Sequence, residues 1–139
     1  MTKEVLKDPQ IYISKTAKEI FTNMKLSYAE FKHLENKDLL FLAFIFGYVN
    51  NKRKPIPKNE MEQSGFTREK YLTDQENAIL KAVAIEEKNS IEIIDNIAET
   101  YSITEEYANG GIDYLKKFIF ADPATTVKKL SAFLKKHNK

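Results

Sequence analysis

The chain has no cysteine and no tryptophan, and only two histidines, four glycines and four prolines in 139 residues. Without cysteine there is no disulfide and no thiolate metal ligand. That absence fits a reducing compartment, so a cytoplasmic location is expected. His33 and His137 are far apart, and His137 sits among lysines near the end of the sequence. Neither reads as catalytic. No HxxxH pair, Walker A pattern, G-x-G-x-x-G or G-x-S-x-G occurs. There is no low-complexity tract and no repeat at the periods of solenoids. The opening MTKEVLKDPQ lacks an apolar h-region and a small-residue cleavage site, so no secretory leader is expected. The longest apolar run, residues 39–49, is shorter than the roughly 20 residues needed to cross a bilayer. No membrane contact, no metal and no cofactor is expected, and the chain does not read as an enzyme.

What is present is ordinary in amount and uneven in placement. The length suits one domain, large enough for a core without staples. Residues 1–13 read as a loosely ordered arm, pinned by Ile11, Tyr12 and Ile13, and 14–137 as a single helical domain. Net charge is only +2, but the ionised residues fall in blocks. Residues 1–72 hold 13 Lys/Arg against 9 Asp/Glu, 73–121 hold 4 against 10, and 122–139 hold 5 against 1. Such a layout either makes a positive face for nucleic acid or an acidic partner, or folds back and neutralises itself.

Scarce glycine and proline leave long stretches for helices. Ala17, Ile20, Phe21 and Met24 recur at helical spacing, and Ser27 can cap a further turn carrying Tyr28, Phe31 and Leu34. Asn36 is a plausible N-cap for the apolar run, with Asp38 in its first turn. Pro55 and Pro57 stop that helix from resuming. Partial alternation near residues 66–72 allows a short strand pair. Thr73-Asp74-Gln75-Glu76 is a capping box opening a helix with Ile79, Leu80, Val83 and Ala84 inward. Ser90 can cap the next, with Ile91, Ile94, Ile97 and Ala98 inward, and Thr104 another. Asp122-Pro123 starts a last one. The expectation is therefore an all-α compact bundle of about six helices, with at most one very short β-hairpin.

Two stretches carry functional interest. Residues 50–58 form a basic loop: Asn50, Asn51, Lys52, Arg53, Lys54 and Lys58 are suited to phosphates or base edges, with Tyr48 able to stack. Lys128 and Lys129 extend the same charge. The bland alternative is a solubilising loop. The second stretch is EEYANGGIDYL, residues 105–115. Ile103, Tyr107, Tyr114, Leu115, Phe118 and Ile119 stay on one helical face through Gly110-Gly111. Two interior glycines cost about 2 kcal/mol against alanine, so something offsets them. Either another backbone approaches closely, or one helix ends and a fresh one begins. Tyr107, Asn109, Gly110, Gly111 and Tyr114 are thus candidates for partner or helix packing. Glu86 and Glu87 add acidic surface. Glu92, Asp95 and Glu99 share a helix face that suits a cation, a basic partner or plain solvent.

The combination KDLLFLAFIFGYVNNKRKPI, YLTDQENAILKAVAI and EEYANGGIDYL resembles the DNA phosphorothioation-associated protein 4 family, also called dnd system-associated protein 4. The resemblance runs from Lys37 to Leu115, and EEYANGG is its most distinctive part. It implies an accessory protein of a prokaryotic anti-phage defence system. No catalytic residue carries over. The implied partner is a larger subunit of the defence complex, with double-stranded DNA as a second partner through the basic loop. The rival reading is a pure protein–protein adaptor without DNA contact.

Overall fold

The computed structural model describes residues 8–119, without the side chains of the last two. These residues form four α-helices and one two-stranded sheet. Strand β1 is Gln10–Ile11 and helix α1 is Lys15–Ser27. The Ser14 hydroxyl accepts the Ala17 N–H at 3.0 Å, satisfying one of the orphan amides of the first turn. Ala17, Ile20, Phe21 and Met24 are buried, as their spacing predicts. Ser27 does not cap a further helix. It ends α1, and Tyr28 opens a short 3-10 turn, Ala29–Phe31.

Helix α2 spans Asn36–Val49. Its N-cap is Glu35, one residue earlier than expected, and Asp38 accepts the Glu35 N–H at 2.8 Å. Asn36 is drawn away instead: its amide donates to the Phe66 carbonyl at 2.8 Å. Leu39, Leu40, Ala43, Phe44, Phe46 and Gly47 are buried.

Of the short strand pair allowed near residues 66–72, one strand forms there, and its partner is distant in sequence. Strand β2, Thr67–Arg68, pairs antiparallel with β1, with Ile11 opposite Thr67. Directly after β2 the chain tightens into a 3-10 turn, Glu69–Tyr71, so no local partner strand is available. Ile11 and Ile13 are core residues, and Ile13 O and Ile11 O accept the Glu62 and Phe66 amides at 2.9 Å each.

Helix α3 spans Asp74–Lys88 behind the predicted capping box. The Thr73 hydroxyl accepts the Glu76 amide at 3.1 Å, and the Glu76 carboxylate accepts the Thr73 amide at 2.8 Å. The helix ends at Asn89, which takes left-handed backbone with φ 52°. Leu80, Val83 and Ala84 face the core, whereas Ile79 is exposed.

Helix α4, Ile97–Ile119, is the largest departure from expectation. Ser90 caps only a 3-10 turn, Ile91–Asp95, in which Ile93 is buried while Ile91 and Ile94 point outward. Asn96 then starts α4, its side chain accepting the Glu99 amide at 3.0 Å. Thr104 is not a cap. It lies buried within α4 and donates to the Thr100 carbonyl at 3.2 Å. Two expected helices thus become one turn and one long helix, and the described residues contain four helices where about six were expected. The helix expected after Asp122-Pro123 lies outside the described residues. α2 and α4 form the central antiparallel pair, with Phe21 of α1 and Leu80 of α3 closing the core around them. Among the described residues, no helix is long and apolar enough to cross a membrane.

Candidate functional site

The central pair is set by small residues. A Cβ at Gly111 would lie 1.8 Å from the Ala43 carbonyl oxygen, and one at Gly47 1.9 Å from that of Tyr107. At Gly110 it would lie 2.1 Å from the Lys52 carbonyl oxygen. Helix α4 runs unbroken through both of its glycines. Close approach of a second backbone, from this same chain, is therefore the reading that holds, and no fresh helix begins there. Gly47 belongs to the same contact.

This contact seats the basic loop against α4. Asn50 is the C-cap of α2, with its side-chain amide on the Phe46 carbonyl at 2.8 Å. Asn51 turns the chain with φ 53°, a left-handed conformation asparagine tolerates. The Lys52 amide then bonds Gly47 O at 2.8 Å, and the Lys54 amide bonds Glu106 O at 3.0 Å. From α4, the Asn109 amide reaches the carbonyls of Lys54 and Pro55, at 3.1 and 3.3 Å.

Three of the loop's cations are also paired with carboxylates of the same chain, at its surface. Arg53 spans two helices, with Nε on Glu106 at 2.7 Å and Nη1 on Glu87 at 2.5 Å. Lys52 and Lys54 share Asp113, at 2.9 and 3.5 Å. The Lys52 ammonium also lies 5.7 Å from the Tyr114 ring centre. Lys58 makes no ion pair among the described residues. Burial alone would raise the Asp113 carboxyl, but the Lys52 and Lys54 contacts outweigh it and hold Asp113 below its usual range. Glu87 is likewise held low, first by the Tyr107 hydroxyl, against burial, and further by Arg53. Tyr107 itself is buried, and its hydroxyl donates to Glu87. Tyr48 donates to Glu86 and stacks on Phe44.

The charge blocks allowed for such folding back and neutralisation, but did not name the partners. Glu87, Glu106 and Asp113 are the loop's counter-charges, and a basic run followed by an acidic block was their only signal. Glu105 was missed. Its carboxylate accepts the Tyr12 amide at 2.8 Å, and burial pushes it up to about 7. The amide bond opposes that rise and the nearby Glu106 charge adds to it.

The other candidates fall apart spatially. Glu92 and Asp95 lie in a 3-10 turn and Glu99 in α4, where Glu99 pairs with Lys88 at 2.6 Å, so no single helix face holds the three. Among the described residues no group of three or more His, Asp or Glu is placed to hold a metal. Lys128, Lys129 and His137 lie outside the described residues.

Residues 10–139 match the family model described as DNA sulphur modification system-associated protein 4. The match extends past both ends of the 37–115 resemblance. No curated protein and no solved structure matches the chain.

Proposed function

Since the chain belongs to the DNA sulphur modification system-associated protein 4 family, we propose that it is a non-enzymatic accessory subunit of such a system in prokaryotic anti-phage defence. It meets a larger subunit through the face formed by the loop 50–58 and the adjoining turn of α4. The observation that carries this reading is the loop's double anchorage. Arg53 is fixed to Glu87 and Glu106, and Asn109 holds the backbone beyond it. A loop so held loses little entropy on binding, which favours recognition of a shaped partner surface.

The same pairing weighs against the loop as a main DNA contact. Counterion release by DNA scales with cations free to meet phosphates, and Lys52, Arg53 and Lys54 already face carboxylates. Lys58 is the loop cation left for an outside charge. The adaptor reading is therefore preferred over DNA contact at this loop.

The test is co-expression with the other proteins of the same sulphur modification system. The expected result is co-elution that survives nuclease treatment and weakens in Lys58→Glu. Separate elution of all the proteins overturns the reading. A low-salt duplex shift lost in Lys58→Glu would restore DNA contact at the loop.

A further inference from the structure

Away from the loop, at the other end of α2, two adjoining concavities have Asn36 and Phe66 in common in their linings. One, of about 160 Å³, has Lys18 and Lys25 on its rim. The other, of about 550 Å³, is lined by Lys37, Lys70 and Tyr71. Their carboxylates are Glu62 in the first and Glu35 in the second, so lysines outnumber acids along the groove. Lys37 is paired with Glu76 at 2.9 Å, and Lys18 reaches Glu62 only at 3.8 Å. Lys25 and Lys70 have no carboxylate within ion-pair distance among the described residues.

Tyr71 distinguishes this groove from ordinary lysine-rich surface. The residue is 56% exposed, whereas Tyr101 and Tyr107 are buried. Two cations stand over it: Lys70 Nζ at 5.4 Å from the ring centre and the Arg68 guanidinium at 6.0 Å. The backbone beneath is fixed, with the Glu69 amide on Pro9 O at 2.9 Å and the Lys70 amide on Asp8 at 3.0 Å. An aromatic face beside cations, along a groove, is the arrangement that stacks a base and meets its phosphates.

We propose that this groove binds a single-stranded segment of nucleic acid, with a base on Tyr71, an adjoining phosphate on Lys70, and another phosphate of the strand on Lys25 in the neighbouring concavity. A base arriving on the ring displaces one of the two cations, and the displaced side chain reaches the adjoining phosphate. A duplex hides its base faces in the stack and offers nothing to Tyr71. The site is independent of the loop 50–58, so its failure would leave the accessory-subunit reading standing.

The experiment is fluorescence anisotropy of the full chain with short labelled oligonucleotides: single-stranded DNA, single-stranded RNA and duplex DNA, over a range of salt. Single strands should bind more tightly than duplex, and the two single-stranded arms identify which is preferred. Tyr71→Ala should weaken binding by at least about fivefold, the lower end for loss of one base stack, and Tyr71→Phe should retain it. Lys25→Glu with Lys70→Glu should flatten the salt dependence by about 0.7 in log–log slope per lost phosphate contact. Tyr71 is exposed, so these variants should melt like the parent. No binding to any of the oligonucleotides at low salt overturns the proposal. So does binding unchanged by Tyr71→Ala, or a preference for duplex. Binding of an acidic peptide in place of all three also overturns it.

Discussion

Gly111→Ala places one methyl group between two backbones. Its carbon would lie 1.8 Å from Ala43 O, about 1.6 Å short of ordinary contact, which begins near 3.4 Å. No rotamer change relieves this, because the obstructing atom is a carbonyl of α2. The helices must separate or α4 must bend. Overpacking of a filled core costs about 1–3 kcal/mol, and a clash with backbone belongs at the upper end. Alanine returns about 1 kcal/mol of helix propensity, leaving a net loss of about 2 kcal/mol. At about 2.1 cal/mol/K per residue, unfolding entropy for this chain is roughly 0.3 kcal/mol/K, so Tm should fall by about 7 °C. Gly65→Ala is the matched control, since its nearest obstruction is the end of the flexible Gln10 side chain. It should leave Tm nearly unchanged. The double variant Gly47→Ala with Gly111→Ala should cost less than the two separately, because one separation relieves both clashes. The assay is thermal unfolding followed by circular dichroism. A Tm unchanged or raised in Gly111→Ala would refute the close contact, for that is what helix propensity alone gives.

Asn109→Ala removes the amide that holds the Lys54 and Pro55 carbonyls. Limited proteolysis should then cut faster at the lysines of the loop, with a global stability loss of about 1 kcal/mol. Glu105 has a folded pKa raised from 4.5 to about 7, so the folded state holds its proton more tightly and stability falls as pH rises between those values. Glu105→Gln can still accept the Tyr12 N–H. It should be more stable than the parent at pH 8 by up to about 3 kcal/mol, and equal to it near pH 4.5, in denaturant melts. Glu87 and Glu76 behave oppositely. Their folded pKa values lie below the usual 4.5, so the stability they add is present above that value and is lost as pH falls through the folded values. Acid titration of Glu87→Gln should show a smaller loss there than the parent.

Much of the helical frame was legible because its signals are local. The α1 face, the Thr73 box and Asp38 in the first turn of α2 each depend on residues within one or two turns. The phase kept through Gly110-Gly111 correctly pointed to one continuous helix. The start of α4 was misplaced although Asn96 and Glu99 carry the same three-residue spacing as Thr73 and Glu76. Thr104 and its following glutamates competed for the role, and burial of Thr104 decided against it. The partner of β2 was illegible for a different reason. Alternation marks a strand and says nothing of which distant segment pairs with it. The same holds for the loop, where Arg53 finds Glu106 from 53 residues away. A run of like charges shows that counter-charges are wanted, but only the fold says whether the protein supplies them.

Helix α2 also acts as a ruler. It begins at the groove, with Asn36 and Lys37, and ends at Asn50, where the anchored loop departs. Its 14 residues set these two surfaces roughly 20 Å apart. Because α2 touches α4 backbone to backbone, repacking of side chains cannot buffer that spacing. A protein at one end and a strand at the other would thus sit at a set distance without colliding, and neither would need the other to move.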